Sequence, residues 1–296
     1  MEVKLIISPP FVNSNEYISN KTDSFVTTPK ELSKLIDNNE TKSLNEFKSI
    51  VVLNLDGTSK EREDVINQLK YVFDEIDYKY VIIDISQPKL LYKMYLNNNM
   101  NLLPSYLYYD CLEKPENNVE FIEVETDYDK FKNGSPGVII DIHCLLVNSN
   151  GTRVMLNLPS AEDYISVNQE MINYLREMSK LGYLVILSHC EENKYEEIKF
   201  SNLVNIYDKI FSQISDLDIT GFCVSANKNS EIVFPKPHPW HLFKIFKDFN
   251  INPKKSFYIG YQTIDKKFSD FSGIEHYIDC SSTKRIEVLN KIISES

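Results

Sequence analysis

Residues 137–147 read GVIIDIHCLLV, a run of branched apolar side chains followed by one aspartate and, two positions on, a histidine. An apolar run this short and this β-branched reads as a strand buried on both faces, as in parallel sheets covered by helices. Asp141 then falls at the carboxyl end of the strand, where open α/β sheets place their ligand crevice. Working outward, similar runs occur at 3–8 (VKLIIS), 48–55 (KSIVVLNL), 79–86 (KYVIIDIS), 119–125 (VEFIEVE), 183–187 (YLVIL) and 256–260 (SFYIG). Helix-like stretches separate them, and this alternation predicts an α/β chain with mainly parallel sheets.

The helical pattern is clearest at three places. SKEREDVINQLKYVFDEI, residues 59–76, lies between two strands. Met171, Tyr174, Leu175 and Met178 share one helical face, which Gly182 terminates. Leu242, Ile245, Phe246 and Phe249 share another, with Pro239 suited to a first turn. LLVNSNGTRVML, residues 145–156, reads as a hairpin around Asn-Ser-Asn-Gly. KFKNGSPG, residues 130–137, has the punctuation of a linker and sets the expected domains at 1–133 and 134–296.

Composition narrows the class. The chain has 296 residues, 42% hydrophobic and 25% charged, which suits a soluble globular protein. No apolar run approaches the ~18–20 residues of a membrane helix, and MEVKLIISPP does not read as a secretory signal. Five cysteines without a CxxC pair suggest reduced thiols and an intracellular, cytoplasmic or nuclear setting. Only 8 glycines amid abundant Asn, Ile, Lys and Tyr suit an AT-rich genome, such as that of a virus. The net charge of −11 opposes nucleic acid as a whole-molecule field. From 236 to 267, however, seven lysines (236, 244, 247, 254, 255, 266 and 267) face only Asp248 and Asp265. That segment is either a solvated helix face and loop or a rim that attracts phosphate.

Four polar residues follow apolar segments in the second half: Asp141, Ser188, Lys236 and Asp265. A carboxylate, a hydroxyl, an ammonium and a second carboxylate are the groups that phosphoryl transfer needs. Asp141 would attack phosphorus. Ser188 and Lys236 would hold phosphate oxygens. Asp141 and Asp265 would hold Mg²⁺. Taken singly, Asp141 and Ser188 are equally readable as caps and Lys236 as a loop lysine.

In order and spacing these pieces resemble the haloacid dehalogenase-like phosphatases, and within them the polynucleotide 3'-phosphatase branch. IIDIHCLL stands where that family has a strand followed by Asp-x-Asp-Gly-Thr. NSNGTRVML, then INYLREMSKLGYLVIL ending at Ser188, match the following hairpin, helix and strand. KPHPWHL resembles the Lys-Pro motif with its tryptophan, and SFYIGYQTIDKKFSD the last motif. The resemblance covers roughly 134–280. It implies a Rossmann-like parallel sheet, Asp141 as nucleophile, Mg²⁺ as cofactor and nucleic-acid ends as substrate. Lys244, Lys247, Lys254, Lys255, Lys266 and Lys267 would then receive the nucleic-acid backbone.

The pattern also breaks. His143 stands where the family has its acid/base aspartate, Cys144 and Leu145 replace Gly-Thr, and Tyr261 follows Gly260 where a metal-binding aspartate is expected. An imidazole can give and take protons near neutral pH, so His143 is a candidate acid/base. The same departures suit a pseudoenzyme that keeps the fold as a nucleic-acid-binding or protein-interaction module. A small-molecule or phosphoprotein phosphatase is a further reading. His189 and Cys190 read as site lining, and Trp240 as a packing residue.

In the first half, NLDGTSKER, residues 54–62, follows a strand and precedes a helix, as a phosphate-binding loop does. Asn54 and Ser59 replace its glycines, and Glu61 its magnesium hydroxyl. A kinase domain ahead of a phosphatase domain is the layout of phage-type polynucleotide kinase-phosphatases. The resemblance therefore implies a degenerate kinase-like domain over 1–133. The alternative is an unrelated α/β domain, and neither predicts kinase activity.

Overall fold

The computed structural model describes residues 1–17, 23–55, 57–99, 103–147, 166–190, 200–225 and 236–281. The chain is α/β, as expected, and divides into two compact units, Met1–Asp127 and Tyr128–Ser296.

The first unit runs β1 (Glu2–Ile7), β2 (Ser24–Thr27), α1 (Pro29–Asp37), β3 (Ser49–Leu55), α2 (Ser59–Val72), β4 (Asp77–Asp84), α3 (Gln87–Leu96), α4 (Leu103–Cys111) and β5 (Val119–Glu123). Its strands pair in parallel in the order β2-β3-β1-β4-β5. The central β1 is buried because Val3, Leu5 and Ile7 pack with Ile50, Val52 and Leu55 of β3 and Val65 and Leu69 of α2. Caps start the helices. Thr28 closes a capping box with Glu31 ahead of α1, and Thr58 accepts the Glu61 N–H at the start of α2.

The second unit runs β6 (Gly137–Asp141), β7 (Leu146–Val147), β8 (Ser166–Val167), α5 (Gln169–Lys180), β9 (Leu184–Cys190), α6 (Phe200–Gln213), β10 (Gly221–Ser225), α7 (Trp240–Phe249), β11 (Phe257–Gly260), α8 (Thr263–Ser272) and β12 (His276–Asp279). The main sheet is parallel, in the order β10-β9-β6-β11-β12. One face of it, with Val138, Ile140, Val185, Leu187 and Ile259, packs on α5 and α6. Strand alternation sends Ile139, Asp141, Ser188 and Tyr258 to the other face, where α7 and α8 lie. There the Tyr258 ring stands 5.5 Å from Phe268 of α8.

Residues 130–137 pack within this second unit. Phe131 is buried against Phe246, and Ser135 exchanges backbone hydrogen bonds with Asn250 and Asn252 at 2.9 and 2.8 Å. Strand β9 runs on through His189 and Cys190 because β10 pairs with it that far. Pro239 sits at the N-cap of α7. Gly182 ends the turn after α5 at φ 89°, as its position predicted. The expected hairpin of 145–156 falls largely outside the described residues, although β7 does pair with β8 in antiparallel fashion.

Candidate active site

The site is assembled at the carboxyl ends of β6, β9 and β11. Asp141 closes β6 directly opposite Ser188 of β9. The backbone then turns into a short 3-10 segment, Ile142–Leu145, because the Asp141 carboxylate accepts the His143 N–H at 2.9 Å. That turn brings the imidazole back, with Nδ1 2.8 Å from the same oxygen, Oδ1. The other oxygen, Oδ2, accepts from the Lys236 ammonium, which also donates to Asp265 Oδ1 at 2.7 Å. One lysine thus bridges two carboxylates.

Asp265 is fixed from behind. Its Oδ2 accepts the Tyr261 and Gln262 N–H groups at 2.9 and 3.0 Å, which ties the carboxylate to the turn that starts α8. Gly260 makes this approach possible, since a Cβ there would come within 2.6 Å of Asp265 Cβ. The family resemblance gives Tyr261 a metal-binding position. Instead its backbone serves Asp265, and its ring stands 5.9 Å from that of His143.

The cluster is buried: Asp141 and Asp265 are 1% exposed and Lys236 is 9% exposed. Burial alone would raise the Asp141 pKa, but Lys236 and His143 outweigh it and hold the carboxyl well below the usual range. Burial likewise opposes charge on Lys236, and Asp141, Tyr258 and Asp265 overcome it and push its pKa up. Both groups are charged at neutral pH.

Sequence reasoning missed His241. From the first turn of α7 its Nε2 meets Ser188 Oγ at 3.0 Å, so the hydroxyl expected to hold phosphate already has a partner. Burial, then Lys236 and His189, push the His241 pKa down to about 3, leaving it neutral. The signal was its place in KPHPWHL, five residues after Lys236. Tyr258, whose ring centroid lies 5.7 Å from the Lys236 ammonium, was missed too. His189 does line the site. Its Nδ1 bonds to Tyr207, and its ring stands edge-on, 5.4 Å from that of His143.

The basic segment is weaker than its lysine count. Lys244 pairs with Asp248, Lys254 with Glu275 at 3.1 Å and Lys266 with Asp270 at 2.7 Å. Lys247, Lys255 and Lys267 are exposed and make no ion pair among the described residues.

Among the described residues no three of His, Cys, Asp and Glu gather into a metal-binding group. Magnesium needs fewer, since one or two carboxylates with waters and substrate oxygens suffice. Asp141 and Asp265 fit in kind and in charge. Asp141, Asp265 and Lys236 together carry one negative charge, which repels a phosphate dianion, and a divalent cation reverses that sign. Lys236 competes for the same oxygens.

In the first unit the 54–62 loop follows β3, not the central β1. The α2 N-terminus, where a phosphate would sit, is filled by a carboxylate: Glu113 Oε2 accepts the Ser59 N–H at 2.8 Å. Arg62 locks the loop by donating to the carbonyls of Gly57 and Glu113, both at 2.7 Å.

Several solved structures resemble the chain, among them the following three. One is D,D-heptose 1,7-bisphosphate phosphatase from B. bronchiseptica, complexed with magnesium and phosphate, at 11% identity over 54% of this chain and 99% of that one, with a TM-score of 0.43. A HAD-superfamily hydrolase from Ehrlichia chaffeensis is 15% identical over 55% and 97%, with a TM-score of 0.36. A chain of the Pnkp1/Rnl/Hen1 RNA repair complex is 12% identical over 94% and 95%, with a TM-score of 0.33. No family model matches the chain, and no curated protein matches it. Likenesses this weak carry no argument about chemistry.

Proposed function

We propose that the second unit is a phosphomonoesterase of the haloacid dehalogenase type that acts on nucleic-acid ends through an aspartyl-phosphate, in the manner of polynucleotide 3'-phosphatases. The carrying observation is Asp141: an ionised carboxylate at the end of a central strand, in contact with both a fixed ammonium and an imidazole. Its oxygen attacks phosphorus, and the bond from phosphorus to the leaving oxygen breaks. Protonated His143 gives that oxygen its proton. In the second step neutral His143 takes a proton from water, the water oxygen attacks phosphorus, and the bond to Asp141 breaks, releasing inorganic phosphate and restoring the carboxylate. Lys236 balances the charge that builds on the phosphoryl oxygens. Asp141 and Asp265 would hold magnesium, which would supply the positive charge that lets a dianion approach.

A second reading is a catalytically inactive unit that serves as a nucleic-acid-binding or protein-interaction module. One observation favours it: each carboxylate oxygen of Asp141 and Asp265 already accepts a donor from this chain. The deciding experiment follows phosphate release from a 3'-phosphorylated oligonucleotide in magnesium. Release by the wild type that disappears in Asp141→Asn supports the enzyme. No release, from that substrate or from p-nitrophenyl phosphate, refutes it and leaves the binding module.

A further inference from the structure

The first unit carries a cavity that the phosphatase reading does not use. It has a volume of about 600 Å³ and opens at the carboxyl ends of β1 and β3. That size and placement suit a small-molecule site. Its lining includes Pro9, Pro10, Phe11, Asn54, Tyr108 and Cys111, and no charged side chain among the described residues.

Phe11 adopts backbone that side chains rarely take, at φ 66°, and Asn54 lies in the same region at φ 58°, which asparagine tolerates. A bulky aromatic in the left-handed region is uncommon, and strain of this kind gathers at ligand sites. The fold holds Asn54 there through its side chain. Oδ1 accepts from Ser8 Oγ at 3.3 Å and from Ser14 Oγ, which leaves the amide NH₂ without a partner among the described residues. Tyr108 is only 7% exposed and its hydroxyl is enclosed, so it is the ring that lines the cavity.

We infer that this cavity binds an uncharged, flat, largely apolar molecule that carries a hydrogen-bond acceptor. The proline and phenylalanine faces take its surface, and the exposed Asn54 amide donates to its acceptor. A phosphorylated nucleotide is excluded on charge. No cation lines the cavity among the described residues, and the neighbouring α2 N-terminus already holds the Glu113 carboxylate.

The test titrates the full chain with 7-diethylamino-4-methylcoumarin, a neutral planar fluorophore with a carbonyl acceptor, and reads its emission. The expected result is a saturable blue shift with one probe per chain, unchanged by excess ATP. Asn54→Asp, which keeps the oxygen that Ser8 and Ser14 donate to and removes the NH₂ donor, should weaken binding by about two- to tenfold, the worth of one neutral hydrogen bond. Cys111→Trp, which fills the cavity from an exposed position, should abolish it. Far-UV circular dichroism of both variants establishes that they remain folded. No saturable shift, displacement by ATP, or equal affinity in both folded variants would overturn the assignment. None of these outcomes depends on whether the second unit hydrolyses phosphate.

Discussion

Replacing Lys236 by methionine separates charge from packing. Methionine keeps an unbranched stem but removes the ammonium that lies by Tyr258 and Phe268 and between two buried carboxylates. At an effective dielectric of ~20, each of the two contacts is worth roughly 4 kcal/mol of Coulomb attraction. Desolvating the lysine costs several kcal/mol of this back, so the expected net loss is about 3–5 kcal/mol, the usual result of removing one partner from a buried pair. Urea unfolding at pH 7 measures it through the fluorescence of Trp240, the single tryptophan, which lies buried in the second unit and so reports on that unit alone. The pH dependence has a fixed sign. In the wild type the folded Asp141 pKa lies below its unfolded value, so its contribution is complete above pH ~4 and fades below it. In the variant, burial without the ammonium raises the folded value, so the deficit is greatest at neutral pH and closes as the carboxyls protonate. A loss under about 1 kcal/mol, typical of an exposed pair, refutes the bridge, as does a deficit that widens with acid.

Other consequences are equally direct. The folded His241 pKa of about 3 lies below the unfolded value of ~6.5, so its contribution is present above pH ~6.5 and is lost progressively down to about 3. About 2 kcal/mol should disappear between pH 7 and pH 5 at 1.36 kcal/mol per unit, and His241→Gln should flatten that slope in urea titrations. Gly260→Ala drives a methyl group into Asp265 and should cost about 1–3 kcal/mol by the same fluorescence assay. His143→Ala should slow phosphate release by ~10²–10⁴-fold if the imidazole moves the proton, and a rate unchanged within a factor of two would remove it from the mechanism. Three unpaired lysines, not six, should set the salt dependence of duplex binding. A log–log slope near −3 is expected, and one beyond about −5 would mean the ion pairs open on binding.

Much of the architecture is legible because buried parallel strands are continuous apolar runs that look alike wherever they occur. VKLIIS, KSIVVLNL, GVIIDI and SFYIG all identify themselves this way. Strand β2 does not, since SFVT is short and partly polar and is a strand only because β3 offers it an edge. Asp141, Ser188, Lys236 and Asp265 stand out as polar residues after apolar segments, which fixes their address but not their partners. The Lys236 bridge joins positions 95 and 29 residues apart. The contact of His241 with Ser188 likewise depends on how α7 lies across the sheet, which no local pattern encodes. The pairing of Lys244 with Asp248 and of Lys266 with Asp270 was open to reading from its i, i+4 spacing. A count of charge along the segment obscured it.

The pairing of Asp141 with Ser188 makes the second unit intolerant of slippage. Side chains alternate along a strand, so one extra residue within β6 would turn the aspartate away from Lys236 and into the hydrocarbon between the sheet and α5. A misaligned chain would then bury a lone carboxylate, at a cost comparable to the stability of the whole unit. The charged cluster thus acts as a checkpoint on assembly. Only a sheet paired in the correct frame can bring its three charges together, and every other frame is penalised by the residue that gives the correct one its chemistry.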